Sequence, residues 1–265
     1  MIDNSASTMV RELVDYRELL YRLAWRDVRV KYKQSLIGIG WAIFVPVAQM
    51  VIFSVIFQKV VKVDTAGIPY PIFAYTGLVP WALFAGGLEG AATSLTGNRN
   101  LVTKIYFPRE VCPIAKVLAR LLDFGIAFVI VFALMIYYGI PFRATILLMP
   151  VILLIQLIFT LGLGFILAIA NLYYRDVQHI MGTLVRLWFF ASAVVYPIKT
   201  DNPLLQRVLD LNPMTPILNS YRAVLLEGAL PDMTTLWPAI AMAVVLFLGG
   251  WAVFHRAEFA FADNI

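Results

Sequence analysis

Four ionisable side chains fall inside long apolar stretches: Glu89, Lys116, Arg120 and Asp123. A charge in such a setting is costly, so it marks either a pathway for ions and protons or a structural pair. Lys116, Arg120 and Asp123 share one helical face, and Arg120 and Asp123 can pair with each other. They stand close to the charged end of their stretch, where snorkelling and pairing account for them. Glu89 remains open between a pathway role and a structural one. A proton-coupled carrier generally needs more buried carboxylates than this. His179 and His255 form no close metal-ligand pair. The single thiol, Cys112, lies directly before Pro113. One cysteine makes no internal disulfide and no metal cluster, and it reads as a bland buried residue. The sequence has no Gly-x-x-x-x-Gly-Lys-Ser/Thr phosphate loop and no serine-centred elbow. No catalytic residue and no metal ligand is therefore expected.

The elements that would position these groups are membrane helices. The chain has 265 residues, 61% hydrophobic and 14% charged, with a mean hydropathy of +0.82. A soluble chain of this length carries about 25% charged residues, so the deficit points to lipid as solvent. Stretches long enough to cross a bilayer occur at 37–61, 70–95, 114–138, 146–170, 180–198 and 237–254. The spacing predicts an all-α membrane protein of six transmembrane helices in a single domain, 1–265. The first 30 residues are charged, and no removable signal peptide is visible.

Basic residues choose the orientation. Arg11, Arg17, Arg22, Arg26, Arg29, Lys31, Lys33, Arg99, Lys104, Arg109, Lys116, Arg120, Arg175, Arg186 and Arg256 fall on one side. Lys59, Lys62, Arg143, Lys199, Arg207 and Arg222 fall on the other. The positive-inside rule puts both termini in the cytoplasm. The net charge of +5 then suits an anionic leaflet rather than nucleic acid.

Within the first segment, 1–36, polar residues Arg11, Asp15, Glu18, Arg22, Arg26, Arg29 and Lys33 recur at helical spacing. Leu13, Tyr16, Leu19, Leu20 and Leu23 fill much of the rest. Residues 11–33 are expected to form an amphipathic helix in the interface plane, basic face outward, with Glu18 paired to Arg22. It either fixes topology or docks a partner through Arg22, Arg26 and Arg29.

Two further cytoplasmic pieces stand out. Asn98 to Pro113 holds a short helix over Leu101 to Tyr106, stopped by Phe107-Pro108. The second runs from Asn171 to His179. On the opposite side, 199–236 is too long for a plain loop. Asn202-Pro203 and Thr215-Pro216 each set a cap before a proline, which predicts two short re-entrant helices, the second ending at Gly228. Aromatics crowd three spans: Trp41, Phe44 and Phe53 beside Gln49, then Trp81 and Phe84, then Trp188, Phe189, Phe190 and Tyr196. Packing and interface belts explain such rings in general, but some could line a passage and stack on sugar faces.

Asp27-Val-Arg-Val-Lys-Tyr-Lys-Gln-Ser-Leu-Ile-Gly-Ile-Gly-Trp-Ala-Ile-Phe-Val-Pro46 resembles the start of the first span in permeases of polysaccharide ABC exporters. Lys104-Ile-Tyr-Phe-Pro-Arg-Glu-Val111 resembles their cytoplasmic coupling segment. Tyr174-Arg-Asp-Val177, and Asn212-Pro-Met-Thr-Pro216 with Tyr221-Arg222, also match, in the same order along nearly the whole chain. O-antigen permeases match best, and teichoic-acid and capsule permeases share the pattern.

The resemblance implies a homodimer enclosing a channel in the bacterial inner membrane. Two separate nucleotide-binding subunits would hold ATP and Mg, with no cofactor bound by this chain. The substrate would be a lipid-linked polysaccharide, carried on undecaprenyl pyrophosphate. Leu101, Lys104, Tyr106, Phe107, Pro108, Arg109, Arg175 and Asp176 would couple to the ATPase. Trp41, Phe44, Gln49, Phe53, Trp81, Trp188, Phe189 and Tyr196 would line the channel, and 199–236 would form a periplasmic gate region. The competing expectations are an ABC exporter of small hydrophobic compounds, a secondary transporter, and a membrane enzyme acting on lipid-linked sugars.

Overall fold

In a computed structural model of the chain, residues 6–33, 35–174, 176–197, 209 and 211–257 are described. They are helical throughout, with no strand among them. The arm is α1 (Ala6–Asp15) and α2 (Arg17–Tyr32). Then come α3 (Trp41–Phe53), continued by a π-helical turn over Ser54–Val60, and α4 (Tyr70–Ala92). The short helices α5 (Ser94–Gly97) and α6 (Arg99–Lys104) lead to α7 (Val111–Tyr137). The chain continues through α8 (Met149–Tyr173), α9 (Asp176–Ala191), α10 (Met214–Arg222) and α11 (Met233–Ala257).

Five helical stretches are long and apolar enough to cross a membrane: Gly38–Gln58, Tyr70–Ala92, Val111–Tyr137, Ala144–Tyr173 and Met233–Ala257. They correspond to five of the six expected spans. The segment expected at 180–198 differs. It forms α9, whose 16 residues reach only about 24 Å at 1.5 Å per residue, short of a hydrocarbon core of about 30 Å. The chain leaves the helix at Ala191 and turns through residues 192–196. Side chains from elsewhere take up the carbonyls freed there, so the helix can stop early, as detailed below.

The spans occupy unequal places. α4 is the centre of the bundle, with 78% of its most apolar window buried, whereas the first span has 6% buried and lies at the edge. α4 packs on α7 and α8, and α11 packs on α8. Pro80 interrupts the α4 ladder, and the carbonyl of Pro80 accepts a hydrogen bond from the Gln156 amide of α8 at 2.7 Å. α8 and α11 approach so closely that a Cβ on Gly250 would stand 2.5 Å from the carbonyl oxygen of Gly162. Glycine at both places permits a backbone-to-backbone crossing in a medium where dispersion contacts hold helices together.

Element ends follow local chemistry that the sequence expectation placed a few residues away. α11 starts at Met233, not 237, because the Asp232 carboxylate accepts from the Thr234 amide at 3.0 Å and from its hydroxyl at 2.7 Å. Those bonds hold the Asp232 carboxyl below the usual range. α10 begins at Met214, capped by Asn212 Oδ1 at 3.1 Å rather than by Thr215. A π-helical turn over Ala223–Glu227 continues it to the expected stop at Gly228, whose φ of 65° lies in the left-handed region. The helix expected from Asn202-Pro203 lies outside the described residues.

Candidate functional site

The arm, the α5–α6 segment and the last turn of α11 meet at one end of the bundle. Their apolar faces form a second core from Leu23, Leu95, Val102, Phe107, Val111, Cys112, Leu172 and Phe254. The arm breaks once, at Tyr16 (φ −91°, ψ 16°), so the single helix expected over 11–33 is two. Glu18 and Arg22 pair at 2.6 Å on the exposed face, as their spacing predicts.

α2 is held on α7 by charges that the sequence reading assigned to other duties. Asp27 pairs with Lys116 at 3.0 Å and with Arg26 at 3.1 Å. Arg26 also donates to Asn98 Oδ1 at 2.6 Å, tying the arm to the α5–α6 segment. Asp123 accepts from Lys31 and from the Tyr32 hydroxyl, and it lies 3.7 Å from Arg120. Burial and the bond to Asp123 raise the pKa of the Tyr32 hydroxyl. The expected Arg120–Asp123 pair is thus the loosest contact of a larger network. Asp27, Lys31 and Tyr32 were missed as its members, because pairing between α2 and α7 has no sequence spacing to read.

This network walls a cleft of about 580 Å³ between α2, α4, α7 and α9. Glu89 and His179 line it too. Glycines open the α4 wall: a Cβ on Gly86 would come 3.2 Å from Arg120 Nε, and one on Gly90 would come 3.3 Å from Lys116 Cβ. Glu89 is exposed at the mouth and has no ion pair among the described residues. The cleft walls carry both signs of charge, Asp27, Glu89 and Asp123 against Lys31, Lys116 and Arg120.

The segment after α4 presents a tip. α6 ends at Lys104, two residues before the expected end, and Ile105 is already extended (φ −127°, ψ 135°). Lys104 and Tyr106 point outward, Tyr106 at 76% exposure, while Phe107 is 1% exposed in the second core. Pro108 is buried, and Leu101 and Arg109 are half-buried. Of the coupling candidates, then, Lys104 and Tyr106 are open to a partner and Phe107 anchors them. Asp176 is exposed at the start of α9, and Arg175 lies outside the described residues. Arg22, Arg26 and Arg29 are exposed on the arm, Arg29 against the Trp25 ring at 5.6 Å.

The candidate lining residues divide into two groups. Trp41, Phe44 and Gln49 are exposed on α3, with Trp41 edge-on to Phe44 at 5.4 Å. The others join one aromatic chain inside the subunit. Tyr196 stacks on Phe57 and Phe57 meets Phe53. Phe53 stacks on Phe189 at 5.7 Å, Phe189 meets Trp81 edge-on, and Trp188 stands edge-on to Phe84 at 5.1 Å. Trp81 is 6% exposed. The first span and α9 therefore touch within one chain.

The turn after α9 is pinned from three sides. Asn212 accepts from Trp188 Nε1 at 2.9 Å and donates to the Ala191 carbonyl at 2.9 Å. Arg222, 2% exposed, donates to the carbonyls of Ala193 and Val194 at 2.5 and 2.6 Å. The Tyr70 hydroxyl donates to the Val195 carbonyl at 2.7 Å. Asn212 and Arg222 belong to the motif singled out in the sequence, and their physical task is to satisfy the end of a helix that stops inside the bundle.

Comparison with known proteins places these features. The ABC-2 type transporter family matches residues 18–226, from α2 through the turn that follows α10. The chain is 36% identical to an O-antigen export system permease protein RfbA from Myxococcus xanthus, over 97% of this chain and 99% of that one. A protein of the same description from Klebsiella pneumoniae is 27% identical over 93% and 94%. The polysialic acid transport protein KpsM of Escherichia coli is 24% identical over 84% and 88%. The matched stretch takes in α2 of the arm, the tip, the cleft and the pinned turn, and the chain belongs to the ABC-2 type transporter family.

Proposed function

We propose that this chain is the membrane subunit of an ATP-driven exporter that moves lipid-linked O-antigen or a related polysaccharide across the bacterial inner membrane. The observation that carries the reading is the near full-length likeness to an O-antigen export permease. A chain without a phosphate-binding loop needs ATP hydrolysed elsewhere, so two nucleotide-binding subunits, holding ATP and Mg, dock on a homodimer. The exposed tip at Lys104 and Tyr106 beside the basic arm is the surface for that docking.

Both termini lie in the cytoplasm, following the bias of basic residues. α9 and the re-entrant α10 together make the sixth pass, and the arm lies at the inner interface while packed on α7. The mixed-charge cleft suits a hydrated glycan at the inner mouth. The exposed α3 face with Trp41, Phe44 and Gln49 faces the partner subunit and the passage, while Phe53, Trp81, Trp188, Phe189 and Tyr196 stiffen its wall. Shallow stacking of about 1 kcal/mol per sugar holds a polymer and still lets it step.

The test is complementation of a strain lacking the chain, with surface glycan and ATPase co-purification as readouts. The variant K104A/Y106A should insert normally, lose the ATPase and export no glycan. Restored drug resistance without surface glycan would assign the chain to small hydrophobic compounds instead. Wild-type export by the tip variant would remove the docking role.

A further inference from the structure

Glu110 and His255 meet out of solvent at the inner end of the bundle. Their side chains are 3% and 11% exposed, and Glu110 Oε1 lies 2.9 Å from His255 Nδ1. Glu110 follows the tip directly and stands at the N-terminal end of α7, while His255 lies in the last turn of α11. Helix dipoles favour an acidic group at the first place and a basic group at the second.

α7 packs chiefly on α4 and α2 and only lightly on α8, while α11 packs chiefly on α8. Apart from the apolar second core, Glu110–His255 is a polar bond that joins the start of α7 to the end of α11. α8 and α11 are locked by the Gly162–Gly250 crossing, and α9, which follows the extended Tyr174, packs back on α8. Phe107 and Glu110 hold the two sides of the segment that carries Tyr106. Phe107 does so by apolar burial, which is non-directional. Glu110 does so by a directional bond to another helix.

We infer that Glu110 and His255 are positioning residues that link the tip to the α8–α11 pair, so that a push on the tip moves α8, α9 and α11 together with α7. The inference rests on the docking role of the tip. A short rigid connection between two packed units is what turns a displacement at one site into a coupled displacement at another.

The experiment uses the full chain expressed with the ATP-binding subunit that the proposed function requires, in a strain lacking the chain. Surface glycan is measured per unit of ATP turnover at matched membrane levels. E110Q keeps an acceptor oxygen for His255 and should export within about twofold of wild type. E110L and H255F should each retain the ATPase but export about five- to tenfold less glycan per ATP, the range of ordinary coupling energies. The double variant E110L/H255F removes both partners of this bond rather than one, so it should regain part of the thermal stability that the single variants lose. It should not regain export per ATP. Recovery of both in the double variant would make the pair a packing feature only. Unchanged export per ATP in both single variants would overturn the inference outright. Loss of ATPase binding in K104A/Y106A, with normal coupling in E110L, would leave docking standing and remove the link. Normal binding and export in K104A/Y106A would remove docking itself.

Discussion

The guanidinium carbon of Arg222 stands 3.8 Å from the centroid of the Phe73 ring, and no carboxylate among the described residues lies within ion-pair distance of it. Its partners are the carbonyls of Ala193 and Val194, more distantly that of Phe73 at 3.4 Å, the Asn219 side chain and an aromatic face. Removing it strands two buried carbonyls. Arg222→Met should lower stability by about 2–5 kcal/mol, read as the thermal midpoint of the purified protein in detergent. Arg222→Lys should lose less, because one ammonium can still reach a carbonyl. Equal midpoints for Met and wild type would show that water replaces the guanidinium at the turn.

The α8–α11 crossing gives a prediction of a different kind. A Cβ on Gly162 would meet the amide nitrogen of Phe247 at 2.6 Å, and backbone cannot swing aside as a side chain can. Gly162→Ala and Gly250→Ala should each cost about 1–3 kcal/mol. By contrast Gly125, with nothing within 4 Å of a built Cβ, should accept alanine without loss. Detergent-resistant folding yield of the three variants, measured side by side, checks the order.

Trp41 and Trp81 separate lining from packing. Trp41 is 42% exposed on α3, and Trp81 is buried against Phe84 and Phe189. Trp41→Leu should leave stability within about 0.5 kcal/mol and slow glycan export. Trp81→Leu should destabilise by about 1–3 kcal/mol, with export falling in proportion to the folded protein. Export at the wild-type rate for Trp41→Leu would assign that ring to contact with lipid or the partner chain.

The arm offers a fourth test. Asp123 gathers Lys31, Tyr32 and Arg120 midway along α7. Asp123→Asn keeps an acceptor for Tyr32 but removes the charge that Lys31 and Arg120 face. The loss should be about 1–2 kcal/mol, discounted because the group is partly hydrated. α2 should become the first site of trypsin cleavage at Arg26 or Arg29 in inside-out vesicles. An unchanged cleavage pattern would show that Asp27–Lys116 and the apolar face hold the arm without Asp123.

Runs of apolar residues announced the spans, because each helix must satisfy its own backbone in lipid, and a length of about 20 residues follows from bilayer thickness alone. α9 escaped that arithmetic. Its aromatic run continues to Tyr196, but the helix stops at Ala191 because Asn212 and Arg222 supply donors from residues far along the chain. No periodicity records a partner at that distance. The tip was legible through Phe107-Pro108, whereas its burial pattern, Tyr106 out and Phe107 in, depends on the second core. Lys116, Arg120 and Asp123 were found as one face of a helix. Their opposite numbers on α2 were visible only once the two helices were packed, and the same holds for Glu110 and His255.

The pinned turn also bears on how the protein is made. Val194 is separated from the arginine that caps it by 28 positions. As the chain emerges, the turn after α9 precedes Arg222, and until that arginine folds back the carbonyls of Ala193 and Val194 depend on water for donors. The turn and α10 therefore lose water together, as one folding unit. A chain ended before residue 222 should keep the turn at Ala193 and Val194 open to water-borne label, and the full chain should close it.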